Sequence, residues 1–282
     1  MNNVPIIRVA SVQSNVAFGK PSANAEFALN WLPELAADNV KVAVFPEAYL
    51  TGYAVDDREA AEKIAITFEP LNEHLGRIDA LVQTLDMVAV LGFAENFGGK
   101  LYNSAAIFES GKPPRVYRKT HLPLMGLDMH VEAGDELNIF ETKFGTIGVL
   151  ICFDMRAPEA TRSLALQGAD LIVLPTNWPV GAEVSAEHIC VARAAENKVY
   201  LITCNRVGTE NGFTFIGKSK IISPSGIVLE CAGGEPTTLI TDIELDHARN
   251  KQNVVIPGKY ETAIFESRRP DLYSEIVKPK AG

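Results

Sequence analysis

Short apolar runs alternate along this chain with longer segments that are apolar on one side only. The run I-G-V-L-I at 147–151 is rich in β-branched residues and too short for a free-standing helix, so it predicts a buried strand. Similar runs predict further strands at 6–13, 40–45, 87–93, 101–108, 115–117, 169–174, 199–204, 220–223, 227–231 and 238–243. Helical spacing predicts helices at 22–37, 71–85, 158–166 and 182–198. Because some consecutive strands have no helix between them, we expect an α/β fold of mixed sheets covered by helices.

The bulk composition narrows the class of protein. The 282 residues are 47% hydrophobic and contain no linker, repeat or low-complexity segment, so we expect a single domain over 1–282. A net charge of −9 argues against nucleic-acid binding, which normally needs a basic face. No apolar run approaches the roughly 18 residues that cross a membrane, and the first residues lack signal-peptide features. Four scattered cysteines without C-x-x-C spacing favour a reducing cytoplasmic location and no zinc site.

The first candidate for chemistry is Cys152, which directly follows the predicted strand at 147–151. The next residues include Arg156, Pro158 and Glu159, and this combination is typical of the start of a helix. At such a junction a thiol faces a cleft, and helix N–H groups stabilise its thiolate. The alternative is a buried, inert cysteine at the end of a strand.

Two further reactive side chains, Glu47 and Lys119, also follow predicted strands. In α/β folds the carboxyl edge of the sheet is where ligand clefts form. Attack of a thiol on a carbonyl needs a base for the thiol proton and a cationic or N–H-rich site for the oxyanion. These residue types supply such parts without a histidine. The alternatives are a solvated loop acid at Glu47 and a basic surface run at 117–121.

Six motifs in order along the chain resemble the nitrilase superfamily of carbon–nitrogen hydrolases over nearly its whole length. They are V-F-P-E-A-Y-L-T-G-Y, Y-R-K-T-H-L, G-V-L-I-C-F-D-M-R-A-P-E, G-A-D-L-I-V-L-P-T-N-W-P, R-A-A-E-N-K-V-Y and N-R-V-G-T-E. The resemblance implies a four-layer αββα sandwich that pairs as a homodimer or a higher homo-oligomer. It also suggests that the C-terminal tail, about 250–282, packs on the partner subunit.

The resemblance implies a catalytic triad that works without metal or organic cofactor. Glu47 is then the general base and later the general acid, Lys119 stabilises the oxyanion with the backbone N–H of Phe153, and Cys152 forms a thioester. The same motifs mark Tyr53, Asn177 and Trp178 as substrate-binding candidates. Related amidases carry a second glutamate after the lysine motif. Here position 125 is Met, and the nearest acids are Asp128 and Glu132.

The residues after the cysteine bear on the substrate. Nitrilases commonly place Trp-Glu or Gly-Glu there, whereas this chain has Phe153-Asp154, which resembles amidases and carbamoylases. The leading hypothesis is hydrolysis of a small aliphatic amide. The alternatives are an N-carbamoyl amine or amino-acid amidohydrolase, a nitrilase, a zinc hydrolase and a catalytically silent binding module. An amino-acid substrate needs a basic clamp for its carboxylate, for which Arg156 is a candidate, unless it pairs with a nearby acid.

Overall fold

The computed structural model describes residues 6–278, so 1–5 and the last four positions of the predicted tail, 279–282, lie outside it. Its strands are β1 (Ile6–Gln13), β2 (Val40–Val44), β3 (Val88–Phe97), β4 (Lys100–Glu109), β5 (Arg115–Arg118), β6 (Ile139–Thr142), β7 (Gly145–Val149), β8 (Leu171–Thr176), β9 (Tyr200–Asn205), β10 (Val207–Glu210), β11 (Phe213–Ile216), β12 (Lys220–Ile222), β13 (Val228–Cys231), β14 (Thr237–Glu244), β15 (Gln252–Ile256) and β16 (Tyr260–Ala263). Its α-helices are α1 (Pro21–Ala37), α2 (Arg58–Ile64), α3 (Glu73–Val82), α4 (Pro158–Leu166), α5 (Cys190–Asn197) and α6 (Leu245–Arg249).

Two mixed six-stranded sheets form the centre of the fold, as the sequence predicts. The first has the order β14-β1-β2-β3-β4-β5, and the second has the order β13-β12-β9-β8-β7-β6. Each contains three adjacent parallel strands, β1-β2-β3 and β9-β8-β7, flanked by antiparallel ones. Two separate hairpins, β10-β11 and β15-β16, complete the strands of the described residues.

The alternation of side chains along the strands explains the layers. Val42 and Val44 of β2 belong to one core with residues of β7, β8 and β9, whereas Ala43 belongs to a second core with residues of α1 and α3. Successive strand residues point to opposite faces of a sheet, so both faces of the first sheet are covered. Helices α4 and α5 contribute to the core on the second sheet. The result is a four-layer αββα sandwich.

Two helical segments illustrate where the structure departs from the prediction. The predicted helix at 182–198 is divided, because Ser185–Ile189 forms a π-helix before α5 begins. The Ala186 carbonyl in this wider turn accepts a hydrogen bond from the buried Lys220 Nζ at 2.7 Å. Helix α2 was not predicted, although the Asp57 side chain caps it by accepting from the Ala60 N–H at 2.7 Å. Its seven residues are too few for a clear periodic signal.

Candidate active site

Cys152 lies at the start of a short 3-10 helix, Cys152–Arg156, just after β7. The residue has φ of +46°, a strained backbone for a side chain with a Cβ, and such strain concentrates at functional sites. It is 5% exposed and lines a cleft of about 440 Å³ with Phe153, Trp178 and Arg156. The strand-to-helix junction predicted for this cysteine is therefore present, with a 3-10 turn before α4.

Glu47 and Lys119 meet in the protein interior, where both side chains are fully buried. The Lys119 Nζ donates to Glu47 Oε1 at 2.8 Å and to Asp128 Oδ2 at 2.6 Å. Asn103 in the middle of β4 bridges the two carboxylates, with its Nδ2 2.7 Å from Glu47 Oε1 and 2.8 Å from Asp128 Oδ1. One cation, two carboxylates and one amide thus form a closed buried network.

The structure distinguishes between the two candidates for the second acid. Asp128 lies in the 3-10 turn Gly126–Met129 and contacts Lys119 directly. Glu132 is exposed and pairs with Lys100 at 3.0 Å. Of the two acids, Asp128 therefore belongs to the buried network around Lys119, and Glu132 lies on the surface.

Tyr53 binds Asp128 through a hydrogen bond from its hydroxyl group. Its hydroxyl lies 2.8 Å from Asp128 Oδ2 and 2.9 Å from the Met125 carbonyl, and burial raises its pKa well above the ordinary value. The hydroxyl therefore stays protonated and donates. Tyr53 is absent from the residues that line the cleft beside Cys152. In this structure Tyr53 contacts Asp128 and does not line the cleft in which a ligand would lie.

Burial and charge set the protonation of the three central groups. Burial raises the pKa of Glu47, and the neighbouring Asp128 adds to this, while Lys119 and Asn103 oppose it. Burial also raises the pKa of the Cys152 thiol to about 12, with a further increase from Glu47 and a decrease from Lys119. Burial alone would lower the pKa of Lys119, but Asp128 and Glu47 raise it above its ordinary value. At neutral pH the cysteine is a thiol and the lysine an ammonium.

Asp154 connects the cysteine turn to the lysine segment. Its Oδ1 accepts from the backbone N–H of His121 at 2.8 Å and from the Thr120 hydroxyl at 3.0 Å. Its Oδ2 accepts from the Tyr117 hydroxyl at 2.8 Å and from the backbone N–H of Ile151 at 2.9 Å. Because these donors flank both Lys119 and Cys152, the carboxylate ties together the two segments that carry these side chains.

The remaining predicted residues surround the cleft in different ways. The Phe153 side chain is 40% exposed and lines it, and Trp178 lines it while largely buried. Asn177 follows β8 and is fully buried, with both side-chain polar atoms unpaired among residues 6–278. Arg156 is exposed in the cleft and lies 3.5 Å from the Ser185 hydroxyl. In the described part of the chain it makes no ion pair with an acid, and Glu196 pairs with Arg193 at 2.9 Å.

Sequence reasoning missed Asn103, Arg206 and Glu210. Asn103 does give a signal, because a polar residue within the apolar strand pattern L-Y-N-S-A-A-I-F needs a buried partner. Arg206 and Glu210 lie in the motif N-R-V-G-T-E, whose charged residues both turn out to be buried. Among residues 6–278, no group of three or more His, Cys, Asp or Glu side chains is arranged to hold a metal ion. No helix in that range is long and apolar enough to cross a membrane.

The fold and the site define a layered α/β protein that holds a cysteine beside a lysine and two carboxylates. The profile of the carbon–nitrogen hydrolase family matches residues 8–252. The chain therefore belongs to the carbon–nitrogen hydrolases of the nitrilase superfamily.

The proteins similar to this chain include a nitrilase and two different amidases. The chain is 36% identical over 270 residues to a nitrilase of Pyrococcus abyssi, covering 95% of this chain and 99% of the relative. It is 31% identical over 280 residues to an (R)-stereoselective amidase of a Pseudomonas species, covering 96% and 98%. It is 32% identical over 234 residues to an N-carbamoylputrescine amidase of Arabidopsis thaliana, covering 74% and 75%. A carbon–nitrogen hydrolase of Helicobacter pylori G27 has the same fold, with a TM-score of 0.85, 24% identity and coverage of 98% and 99%.

Proposed function

We propose that the protein is an amidase that hydrolyses a small aliphatic amide to a carboxylic acid and ammonia through a thioester on Cys152. The proposal gives Glu47 the role of general base and acid, and gives Lys119 the role of oxyanion stabiliser.

One observation carries this assignment. Glu47 Oε1 accepts from Lys119 and Asn103, whereas the buried Oε2 has no hydrogen-bond partner among the described residues. A buried acceptor without a partner is costly and rare, so it points to a role in function. The thiol of Cys152, with a pKa of about 12, needs a base at neutral pH. Glu47 is near enough for its charge to raise that pKa.

The reaction proceeds in two halves. Glu47 takes the thiol proton as the sulfur attacks the amide carbon, and the protonated Glu47 then gives this proton to the departing nitrogen. Ammonia leaves and a thioester remains on Cys152. Glu47 next takes a proton from a water molecule that attacks the thioester carbon. The carbon–sulfur bond then breaks, the carboxylic acid leaves, and Glu47 returns its proton to the sulfur to restore the thiol.

Lys119 provides the positive charge for the tetrahedral oxygen. An ammonium has three N–H donors, and two of them are used by Glu47 and Asp128. The third is available for an oxyanion, with the backbone N–H of Phe153 as its proposed partner. Donors held in place before the reaction need no reorganisation as charge develops, and one such donor contributes on the order of 3 kcal/mol.

The experiment is an ammonia-release assay on a panel of small amides, with nitriles and N-carbamoyl compounds as further arms, each with and without a chelator. We expect neutral aliphatic amides to be hydrolysed and Cys152→Ala to be inactive but folded. Mass spectrometry of the quenched reaction should show an acyl group on Cys152. Substantial activity of Cys152→Ala, with contamination excluded, would overturn the proposal.

Arg156 favours a second candidate substrate, an N-carbamoyl amino acid or another amide with a carboxylate. Its guanidinium is exposed in the same cleft as Cys152 and has no carboxylate partner among residues 6–278. Guanidinium groups bind carboxylates through two parallel hydrogen bonds. The same positive charge disfavours a cationic substrate.

A matched substrate pair tests this second candidate. Succinamate and butyramide have the same chain length and differ in the terminal carboxylate. If Arg156 binds that group, kcat/KM for succinamate should exceed the value for butyramide. Arg156→Met should remove the difference, mainly through KM. An unchanged ratio in Arg156→Met would exclude the role.

A further inference from the structure

We propose that Glu210 is a positioning residue for the active site: it fixes the backbone of Tyr53, and through Tyr53 it holds Asp128 against Lys119. The proposal rests on the proposed amidase function, since it assigns a task to a residue outside the proposed triad. It also explains why the motif N-R-V-G-T-E contains two charged residues that the fold buries.

Glu210 ends β10 and is 5% exposed. Its Oε1 accepts from the backbone N–H groups of Tyr53 at 2.8 Å and of Ala54 at 2.7 Å. These donors belong to the loop that follows Glu47 and lie 157 and 156 residues before Glu210 in the sequence. The Asn211 side chain next to Glu210 donates to the Ala54 carbonyl at 2.6 Å. The end of β10 therefore binds this loop through both backbone donors and a backbone acceptor.

Arg206 orients the Glu210 carboxylate. Its side chain is fully buried, pairs with Glu210 Oε2 and donates to the Val16 carbonyl at 2.9 Å. The guanidinium also lies 4.5 Å from the centre of the Phe215 ring. A buried ion pair gives little net stability compared with apolar residues of the same size. The pair instead fixes the orientation of the Glu210 carboxylate, because Arg206 holds Oε2 and Oε1 then faces the two backbone donors.

Tyr53 transmits this constraint to the acid next to Lys119. Its carbonyl accepts from the Leu127 N–H at 2.8 Å, and its hydroxyl lies against Asp128 and the Met125 carbonyl. A Cβ on Gly126 would lie 2.6 Å from the Tyr53 ring, so the turn packs closely on the tyrosine. Tyr53 thus contacts four consecutive residues, 125–128, of the segment that carries Asp128. A shift of Tyr53 moves Asp128, and Lys119 loses one of its two carboxylate partners.

The test compares glutamine with methionine at position 210, because these side chains are similar in length and only glutamine offers an acceptor. Both are made with Arg206→Met, so that no unpaired guanidinium is buried in either protein. In this background Glu210→Gln retains an acceptor for Tyr53 and Ala54, whereas Glu210→Met does not. We expect kcat to be about tenfold lower with methionine, as for loss of one charge-assisted contact. KM should agree within about twofold, because neither residue lines the cleft.

Tyr53→Phe shows whether Glu210 acts through the tyrosine. It removes the hydroxyl that donates to Asp128, and we expect about a tenfold loss of kcat when position 210 is glutamine. When position 210 is methionine, the same substitution should cost less than about twofold, since the contact is already lost. Equal kcat for the glutamine and methionine proteins would overturn the proposal, as would a Tyr53→Phe loss of the same factor in both. A purely structural role would lower thermal stability without this non-additivity.

Two further measurements keep the outcome decisive. If a double variant does not fold, Glu210→Asp retains the Arg206 pair but withdraws the acceptor by one methylene, and the same kcat loss and non-additivity are expected.

If the wild type hydrolyses no amide, the proposed function fails separately. The rate at which iodoacetamide alkylates Cys152 at pH 7, followed by peptide mass spectrometry, then tests the same comparison. We expect alkylation to be at least about threefold slower with methionine, because Lys119, held by one carboxylate instead of two, is no longer fixed in the place from which its charge favours the thiolate; equal rates would refute the positioning role.

Discussion

Replacing Glu47 by glutamine should separate the roles of the proposed base and the proposed oxyanion donor. Glutamine keeps an oxygen for Lys119 and Asn103, which contact only Oε1 in the native protein. The amide nitrogen then takes the place of the unpaired Oε2. The substitution removes the proton acceptor and preserves the shape of the network, so an effect on rate reports on proton transfer.

The pKa of the Cys152 thiol sets the expected loss of activity in Glu47→Gln. A pKa of about 12 lies five units above an assay at pH 7, so only about one molecule in 10⁵ carries the thiolate without help. General base catalysis contributes roughly 10²- to 10⁴-fold, and in the proposed mechanism Glu47 also donates the proton that ammonia needs to leave. We expect Glu47→Gln to reduce kcat/KM on an amide by about 10³-fold or more.

An aryl ester distinguishes the two roles because its leaving group departs without a proton. Glu47→Gln should therefore be partly rescued on the ester, and its rate should rise about tenfold per pH unit as more thiolate forms. Lys119→Met removes a donor to the oxyanion, which both substrates need, so we expect a similar loss of about 10²- to 10³-fold on each.

The assay measures kcat/KM of both variants on an amide and an aryl ester with the same acyl group, and circular dichroism controls for folding. Lys119→Met leaves Glu47 and Asp128 buried together, so Asp128→Asn is added if the single variant does not fold. Equal rescue of both variants by the ester, or rescue of the lysine variant alone, would refute this division of roles.

Three other outcomes are expected. Burial raises the pKa of Glu47 above 4.5, so the folded protein loses stability as the pH rises through the raised pKa and the carboxyl ionises. Glu47→Gln cannot ionise and should therefore melt at a higher temperature than the wild type at pH 8. Calorimetry should show that this difference in melting temperature disappears near pH 4. Gly92→Ala places a Cβ 2.4 Å from the Ala48 backbone nitrogen and should lower stability by about 3 kcal/mol or more in denaturant titrations, together with activity; native-like stability would contradict the clash. Light scattering should give a homodimer or a multiple of one, and a stable particle of 30.6 kDa at micromolar concentration would count against it.

The sequence predicts those parts of the site that depend on strand order. Glu47, Cys152 and Asn177 each follow a parallel strand, and an apolar run that ends in a polar residue is visible without a structure. The carboxyl ends of β7 and β8 lie at the same edge of the second sheet, which brings Cys152 and Asn177 together. Glu47 follows β2 of the first sheet, and the packing of the two sheets on each other brings it to this edge. The mixed character of the sheets was predictable because some consecutive strands have no helix between them, whereas the αββα layering was implied by the resemblance of the motifs.

The choice of Asp128 over Glu132 was not predictable, because both lie in a segment without periodic structure. A 3-10 turn at Gly126–Met129 directs Asp128 inward, and this turn depends on Tyr53, more than 70 residues earlier in the chain. The role of Arg156 was equally unpredictable, because the sequence around it does not distinguish it from an ordinary surface arginine. Only the fold shows that no acid of the described residues pairs with it.

The buried charges around Lys119 explain why a second acid accompanies the proposed triad. A lone Lys119–Glu47 pair would be neutral and would strongly favour an ionised glutamate, which makes a poor proton donor. Asp128 supplies a second negative charge, which helps to keep Lys119 protonated and raises the pKa of Glu47. In the proposed mechanism one carboxylate then stabilises the cation, while the other exchanges protons with the thiol and the leaving group. Because Asp128 is held by Tyr53 and Asn103, this balance depends on hydrogen bonds from residues outside the triad.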